Sequence, residues 1–532
     1  MNALPSAQLA RLTPVAAWLV GVAGAAGVAG EIAMAGRIGG ADAPHLLGID
    51  LRLGQLLVAG EFGHAARCWW ALLAPQPPFG ALLGTLTTVL TGGWPLSAAL
   101  CMGLTLLLIF DALQRLSVAM TGGRLGGLLA WVAVLASPFT WSAVEQYSRD
   151  LSAAAAILQA VSHVATPAAL QNRRAAIGFG AWMGFAFATK YTAPVFLLGP
   201  CLAVGAGLLS RRTRGEWRGL GVALLAFAAV GGVWYATHLQ NVRGYLFTSL
   251  DAGAMQGGAA SLRDVDSLAA KVYYGATLWE AMSAPGMALV VVGAGLGLWR
   301  PQSRVGVAVA GLGLLIGTVV LSRVSQQVDR YVYPGFILAS TLLVPLGRGW
   351  VLPLLGLAVM TPRLVASAER FAPGQRGEAP SYAHGVEAFR ATHWPVPATS
   401  FPASDFQPEA WNLHDAVAAL KAVQGPDGTV GVLIPGGPAW PTFGHLMLPS
   451  VALGCRWDWA SVNLRGGPAA GGVLMGPLFD GAWPSRDFVT LLALQTRPPD
   501  PQVSAWLQSH TLTERARLPT NGGGEFVVYS VR

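Results

Sequence analysis

The chain has 532 residues, of which 53% are hydrophobic and only 11% are charged, and its mean hydropathy is +0.50. Soluble domains carry about 25% charged residues. The composition therefore excludes an ordinary soluble enzyme and an intrinsically disordered chain. Residues 1–361 hold 22 Lys and Arg against 13 Asp and Glu, whereas residues 362–532 hold 12 against 13. This division predicts a membrane domain that is followed by a water-exposed domain.

Eleven apolar segments in the first part are candidates for membrane-spanning helices, because a helix needs about 20 residues to cross roughly 30 Å of hydrocarbon. The predicted spans are residues 13–35, 95–113, 125–144, 151–169, 175–190, 191–210, 219–239, 284–299, 305–321, 332–347 and 349–361. A further apolar segment, 79–92, follows Pro77 and Pro78 and is short. Its length favours an interfacial helix over a crossing.

The distribution of charge predicts the orientation. With 79–92 at the surface, one set of loops carries 12 arginines and only two acids, Asp111 and Glu216. The arginines are Arg11, Arg115, Arg124, Arg173, Arg174, Arg211, Arg212, Arg214, Arg218, Arg300, Arg304 and Arg348. The other loops hold 10 basic and 10 acidic residues. The positive-inside rule places the arginine-rich set, with the N-terminus, in the cytoplasm. We therefore expect a polytopic α-helical membrane protein with about 11 transmembrane helices and a C-terminal α/β domain on the outer face.

The predicted domains are a transmembrane domain, residues 1–361, and an extracytoplasmic α/β domain, residues 362–532. The membrane domain has a long first outer loop, residues 36–94, and a lid-like outer loop, residues 240–284. In the tail, the amphipathic pattern NLHDAVAALKAV predicts a helix, and GTVGVLIPG and GEFVVYSVR predict strands. Cys68 and Cys455 both fall outside in this topology, so a disulfide between them is one alternative.

Five sequence elements follow one another in the membrane domain. They read, in order, GADAPHLLGIDLRLGQLLVAGEF, PQPPFGALL, EQYSRDLSAAAAIL, GFGAWMGFAFATKYTAPVFLLGP and DRYVYPGFILAS. This ordered set resembles the glycosyltransferase C superfamily, especially the bacterial relatives of the protein O-mannosyltransferases and the lipid A aminoarabinose transferases. The resemblance covers about residues 40–345.

The resemblance implies an enzyme that transfers a hexosyl or pentosyl sugar from a polyprenyl-phosphate carrier, with inversion, to an acceptor on the outer face. The acceptor group is a hydroxyl or another group of a protein, lipid or glycan, so the implied process is glycosylation at the cell envelope. The implied location is the bacterial plasma membrane, where membrane lipid is a further partner. We expect no nucleic-acid partner, no cofactor and no essential metal.

The first outer loop contributes candidates for the general base, which would take the proton of the acceptor hydroxyl. Many members of the family carry an adjacent acidic pair there, whereas this chain has single acids, Asp42 and Asp50. Asp50 fits better by its spacing to Glu61, which is a candidate for substrate binding, and to the Pro-Pro segment. The alternatives are that Asp50 lies in a solvated loop or caps a helix, and that Asp42 belongs to an ordinary turn.

The later elements contribute a third acid and two cations. Asp150 begins a predicted helix, where it either helps to position the acceptor or only caps the helix. Lys190, beside Tyr191, either binds the lipid phosphate or extends to the headgroups. Arg330, beside Tyr331, either holds phosphate oxygens or pairs with Asp329 or another outer-loop acid.

The sequence leaves two further interpretations open, one for the lid-like loop and one for the function. The lid-like loop contains Tyr273, Tyr274 and Trp279, which are predicted to stack on a sugar or polyprenyl chain, unless the loop is a disordered connector.

For the function, the main alternative is a secondary transporter or a flippase for a lipid-linked sugar. A structural assembly subunit is the third hypothesis. Transporters place ionisable residues near the midplane, whereas here they gather near the predicted outer face.

Overall fold

The computed structural model describes the helices, the sheet and most short connections. The described residues are 14–35, 43–70, 77–93, 95–211, 213–250, 268–324, 329–349, 351–371, 413–425, 427–433, 456–462, 471–472, 490–496, 501–508, 510–520 and 524–531. By their internal contacts, residues 1–34, 74–80 and 102–403 form a first compact unit. Residues 35–73, 81–101 and 404–532 form a second.

Helices make up most of the described chain. From the N-terminus they are α1 (Pro14–Ala35), α2 (Ala43–Val58), α3 (Phe62–Trp70), α4 (Phe79–Thr91), α5 (Leu96–Thr121), α6 (Leu125–Ala136), α7 (Pro138–Glu145), α8 (Arg149–His163) and α9 (Arg173–Phe187). They continue with α10 (Ala193–Arg211), α11 (Arg214–Phe227), α12 (Val233–Leu250), α13 (Leu268–Trp299), α14 (Pro301–Leu321), α15 (Tyr333–Thr341), α16 (Val351–Phe371), α17 (Leu413–Gln424) and α18 (Pro501–Gln508).

The chain is an integral membrane protein with several apolar helices. Each of the eleven predicted spans coincides for most of its length with a helix or a pair of helices. Within the described residues, five helical stretches are long and apolar enough to cross a membrane: Leu96–Thr121, Ala193–Arg211, Arg214–Gln240, Lys271–Trp299 and Pro301–Leu321. The pair α6 and α7 would be a sixth if it counts as one span. By length and composition the described helices therefore give fewer spans than the eleven expected.

Breaks inside the apolar segments explain part of this difference. Helices α6 and α7 are bent by 65° at Ser137, whose side chain accepts a hydrogen bond from the backbone N–H of Phe139. Pro138 follows at the first position of α7, where a proline is tolerated and the preceding helix ends. Helix α13 is kinked at Ser283, which has a positive φ of 63° and precedes Pro285 by two residues. Hydropathy alone does not register such breaks.

Close helix packing in the first unit depends on glycines. The Gly180 backbone of α9 lies against the carbonyl of Ala223 in α11, and the Gly219 backbone of α11 lies against the carbonyl of Leu170. A methyl group at either glycine would overlap with the carbonyl oxygen that faces it. Small residues commonly allow membrane helices to approach in this way.

The second unit is built around a mixed six-stranded sheet. Its strands are β1 (Asp427–Leu433), β2 (Arg456–Val462), β3 (Gly471–Gly472), β4 (Thr490–Thr496), β5 (Leu512–Pro519) and β6 (Gly524–Val531). The spatial order is β3-β2-β1-β4-β6-β5, with β2, β1 and β4 parallel and the other pairs antiparallel. The helix and both strands predicted in the tail are confirmed as α17, β1 and β6.

Helices of the first outer loop share a hydrophobic core with this sheet. The shared core consists of Ile49, Leu53, Leu56, Ala65, Cys68, Ala81, Leu413, Ala416, Val417, Leu420, Val430, Leu492, Leu494, Phe526 and Val528. In α2 and α17 these residues recur at helical spacing, and in β4 and β6 they alternate, as expected for one buried face of each element. The first outer loop is thus largely helical in its described part. Cys455 lies outside the described residues, so its pairing with Cys68 stays a prediction.

The lid-like loop is shorter than the sequence suggests. Helix α12 continues to Leu250 and α13 already begins at Leu268, which leaves residues 251–267 outside the described residues. Tyr273 and Tyr274 lie in α13, both are buried, and their ring centroids are 5.0 Å apart. The prediction that these two tyrosines are available for stacking on a substrate is wrong, because a helix turns both rings into the protein interior. Trp279, also in α13, is half-buried.

Candidate functional site

Four of the five sequence elements meet in the first unit. The Pro-Pro element reaches the end of α9, where the backbone N–H of Phe79 donates to the carbonyl of Ala188 at 2.9 Å. The carbonyl of Gly80 accepts a hydrogen bond from the Arg149 guanidinium at the start of α8. Lys190 and Arg330 both approach Asp150. Residues that are far apart in the sequence therefore surround the first turn of α8.

Asp150, Lys190 and Arg330 form the Asp150 cluster, which has the carboxylate at its centre. Asp150 occupies the second position of α8, and its side chain is only 1% exposed. The cap of α8 is Ser148, whose hydroxyl oxygen accepts a hydrogen bond from the Asp150 N–H at 3.2 Å. The alternative in which Asp150 itself caps the helix is therefore wrong. A carboxylate in the first turn of a helix is nevertheless stabilised by the helix dipole.

The two carboxylate oxygens of Asp150 have different surroundings. Oδ2 accepts a hydrogen bond from Lys190 Nζ at 2.8 Å and one from the Ser148 hydroxyl at 3.2 Å. Arg330 Nε lies 3.9 Å from the same oxygen, which is ion-pair range without a direct hydrogen bond. Oδ1 is buried and accepts no hydrogen bond from the described residues. One acceptor of this carboxylate thus remains for a further donor.

Lys190 lies in the turn between α9 and α10. The preceding end of α9 is fixed by Tyr235, whose hydroxyl donates to the carbonyl of Phe187 at 2.7 Å. Lys190 Nζ also lies 5.5 Å from the ring centroid of Tyr331, within the range of a cation–π interaction. Tyr191 packs edge-on against Tyr235, with the ring centroids 6.4 Å apart. The lysine is therefore held by an acid and by an aromatic ring, rather than only extending to the headgroups.

The charges in the cluster do not cancel. Lys190 and Arg330 contribute two positive charges and Asp150 one negative charge, so the three side chains carry a net charge of +1. The cationic side chains are 20% and 29% exposed, whereas that of Asp150 is 1% exposed. The two cations are therefore the more exposed members of this group of three, and the carboxylate is the buried one. Such an arrangement attracts an anion to the two cations.

Two residues that lie beside the Asp150 cluster in sequence, Ser148 and Arg149, were not among the predicted site residues. Ser148 caps α8 and also contacts the Asp150 carboxylate. The buried Arg149 binds the Gly80 carbonyl and lies 5.3 Å from the ring centroid of Tyr147. A serine just before an apolar helical run is a signal for a helix cap, so the role of Ser148 was accessible from the sequence. The contact of Arg149 spans 69 residues and had no local signal.

The two described acids of the first loop, Asp50 and Glu61, belong to the second unit. Asp50 lies in the interior of α2 and is buried, so its alternatives as a solvated or helix-capping residue are wrong. Glu61 directly precedes α3, and its Oε2 lies 3.0 Å from Nδ1 of His64. Asp42 lies outside the described residues. Within the described ranges, no group of three or more His, Cys, Asp and Glu is arranged to hold a metal ion.

Comparison with solved structures identifies the fold. The chain superposes on "ArnT from Cupriavidus metallidurans bound to Undecaprenyl phosphate" with a TM-score of 0.58 and 14% sequence identity, over 98% of both chains. The apo state of the same protein gives a TM-score of 0.54 and 13% identity, over 98% of this chain and 97% of that one. ArnT is a GT-C aminoarabinose transferase, so the resemblance predicted from the five elements is confirmed for the fold. No family model matches the sequence, and no curated protein matches it.

Proposed function

We propose that the protein is an integral-membrane glycosyltransferase that uses a sugar linked to a polyprenyl phosphate. The observation that carries this proposal is the convergence of Lys190 and Arg330 on the buried Asp150, at distances of 2.8 and 3.9 Å. The pair of accessible cations supplies a site for a phosphate. The shared fold supports it further, because ArnT has been crystallised with undecaprenyl phosphate.

The proposed reaction breaks one bond and forms one. The acceptor oxygen attacks the anomeric carbon of the sugar, and the bond between that carbon and the phosphate oxygen breaks. The released polyprenyl phosphate carries the additional negative charge, which Lys190 and Arg330 stabilise. A base takes the proton of the acceptor hydroxyl. Asp50 is our candidate for this base, supported by its burial in the first outer loop, and Asp42 is the alternative.

Asp150 has two roles in the proposal. It holds Lys190 in place through Oδ2, and it offers Oδ1 to a hydroxyl of the sugar or the acceptor. Tyr331 limits the freedom of the Lys190 side chain from the other side. Tyr191 and Glu61 remain proposed contacts of the substrate. In this scheme residues 1–361 form the catalytic membrane domain, and residues 362–532 form an outer domain that binds the acceptor or stabilises the outer loops.

Binding of the carrier tests the phosphate site. Purified protein is titrated with undecaprenyl phosphate, and the Lys190→Gln and Arg330→Gln variants are compared with wild type. Each charge-assisted hydrogen bond contributes about 1.5–3 kcal/mol, so each variant is expected to bind roughly tenfold to a hundredfold more weakly. Lys190→Arg should recover part of the affinity because it keeps the charge. Arg174→Gln, which changes an exposed arginine outside the cluster, is the matched control.

Equal affinity in wild type and both glutamine variants would refute the phosphate site. Unfolding temperatures measured on the same samples show whether a loss of affinity reflects a loss of the fold. If Lys190→Arg binds no better than Lys190→Gln while both are folded, a point charge at this position is not what the carrier requires.

The proposed orientation is tested separately. Cysteines are introduced at Arg214 and Asp415, which are both exposed, after the four native cysteines have been replaced by serine. A membrane-impermeant reagent applied to intact cells should label the cysteine at 415 and not the cysteine at 214, because the arginine-rich loops are expected inside. The reverse pattern would invert the topology and place the C-terminal domain in the cytoplasm.

A further inference from the structure

A cavity of about 350 Å³ lies between α10, α14 and the turn that follows α8. This volume is within the range of small-molecule sites in proteins. Most of its lining residues are Ala, Val, Leu and Gly, and four are polar: Thr166, Arg211, Glu216 and Arg304. All of them belong to the first unit. None of them belongs to the Asp150 cluster.

The charged residues of the cavity gather at one end. Helices α10 and α14 are antiparallel, because Gly199 in the first half of α10 contacts Leu312 in the second half of α14. Arg211 at the end of α10 and Arg304 near the start of α14 therefore lie at the same end of the cavity. Leu312, which also lines the cavity, is eight residues beyond Arg304, or roughly 12 Å along the helix. The cavity thus has a charged mouth and an apolar floor.

Only part of the positive charge at the mouth is neutralised. Arg211 donates two hydrogen bonds to Oε1 of the buried Glu216, at 2.9 and 2.7 Å. Arg304 is exposed, and its Nε donates to the backbone carbonyl of Leu298 at 2.9 Å. No acidic side chain of the described ranges pairs with Arg304. The mouth therefore has a net positive charge that Glu216 does not remove.

The mouth lies far from the Asp150 cluster. Asp150 is at the start of α8, whereas Val164, which lines the cavity, directly follows the end of the helix. The 15 residues of α8 separate the two by roughly 21 Å, most of the thickness of a hydrocarbon core. Arg211 and Arg304 also belong to the arginine-rich set that the positive-inside rule assigns to the cytoplasm. The cavity therefore opens towards the membrane face opposite to the proposed reaction.

We infer that this cavity binds an anionic phospholipid of the surrounding bilayer, with one acyl chain against the apolar floor and the phosphate at Arg304. The walls provide the nonpolar contact that an acyl chain requires. Basic pockets between membrane helices on the cytoplasmic side bind anionic headgroups in this way. The ligand class follows from the charge complementarity at the mouth and does not depend on the proposed reaction.

Lipid binding to the full-length protein tests the inference. The protein is purified in detergent and titrated with phosphatidylglycerol or phosphatidylcholine, and bound lipid is counted by native mass spectrometry. We expect one site that prefers phosphatidylglycerol. Arg304→Gln should lower the affinity for phosphatidylglycerol about fivefold, as expected for one cationic contact near the membrane surface. Ala308→Leu, which fills the cavity, should abolish the site for both lipids.

Two matched variants separate this site from general effects. Arg174→Gln removes an exposed arginine from the same predicted face outside the cavity, and Gly311→Leu adds volume on α14 where the space is open. Both should bind phosphatidylglycerol like wild type. Equal binding of the two lipids, or unchanged binding by Ala308→Leu, would overturn the inference. Occupation of the site by undecaprenyl phosphate that phosphatidylglycerol does not displace would also overturn it, because the occupant would then be the carrier.

Discussion

Removal of Lys190 should destabilise the protein through the charge that it leaves behind. The Asp150 carboxylate is 1% exposed and receives its shortest hydrogen bond from Lys190 Nζ at 2.8 Å. In Lys190→Ala the carboxylate keeps two polar contacts among the described residues, the Ser148 hydroxyl at 3.2 Å and Arg330 Nε at 3.9 Å. A buried charge without a close partner is costly.

The magnitude follows from the burial of the pair. Breaking a fully buried ion pair by removing one partner costs about 3–5 kcal/mol. Lys190 is 20% exposed and Arg330 remains near, so we expect a smaller loss of about 2–3 kcal/mol for Lys190→Ala. Asp150→Asn leaves a lysine that can reach water, and it should cost about 1 kcal/mol. In the Lys190→Ala background the same Asp150→Asn change should stabilise the protein, because it removes the isolated charge.

A double-mutant cycle measures this change of sign. The free energy of unfolding is determined in detergent for wild type, Lys190→Ala, Asp150→Asn and the double variant. We expect a coupling energy of about 1.5 kcal/mol or more between the two positions. If Asp150→Asn destabilises both backgrounds by the same amount, the two residues do not interact energetically, and the cluster has no basis as a coupled unit.

Two further predictions concern packing and pH. Gly219→Ala should destabilise the protein by about 1–3 kcal/mol because its methyl group meets the Leu170 carbonyl. Gly221→Ala, in open space on the same helix, should not destabilise it. Equal unfolding temperatures of the two variants would contradict this prediction. In the hairpin of β5 and β6, the hydrogen bond from Arg517 lowers the pKa of Glu514. A carboxyl group whose pKa is lower in the folded than in the unfolded state stabilises the fold at pH values above its unfolded-state pKa. This stabilisation is lost as the pH falls through the folded-state pKa. Both side chains are exposed, so the advantage of wild type over Glu514→Gln should be below about 1 kcal/mol near pH 7. The advantage should decline once the pH falls below the ordinary glutamate pKa of about 4.3, and it should be lost below the lowered pKa; an advantage that grows on acidification would contradict this.

Much of the helical framework could be predicted from the sequence because hydropathy is a local property. Every predicted span corresponds to helix, and the amphipathic pattern around Val417 was sufficient to identify α17. The breaks at Ser137 and Ser283 were missed because they depend on caps and kinks that hydropathy averages out. Helical continuation beyond residue 240 was missed because polar residues there look like a loop.

The sequence singled out three charged residues that lie together in the structure, but it did not predict their geometry. Asp150, Lys190 and Arg330 were identified because charge is scarce in this chain, and the structure brings the three together. The sequence did not predict that Lys190 and Arg330 share a single oxygen of Asp150, since this contact depends on how α8, α9 and the segment before α15 pack. The shared core of the first outer loop and the C-terminal sheet is likewise a long-range property, without a signal in either segment alone.

Mass spectrometry of the cell envelope can detect the proposed sugar transfer itself. Glycolipids and glycoproteins are compared between otherwise identical cells that produce the wild-type protein or a folded Lys190→Gln/Arg330→Gln double variant. We expect at least one product in cells with the wild-type protein whose mass is higher by one sugar residue, and we expect cells with the variant to lack it. Identical profiles, with both proteins present in the membrane in equal amounts, would contradict this expectation.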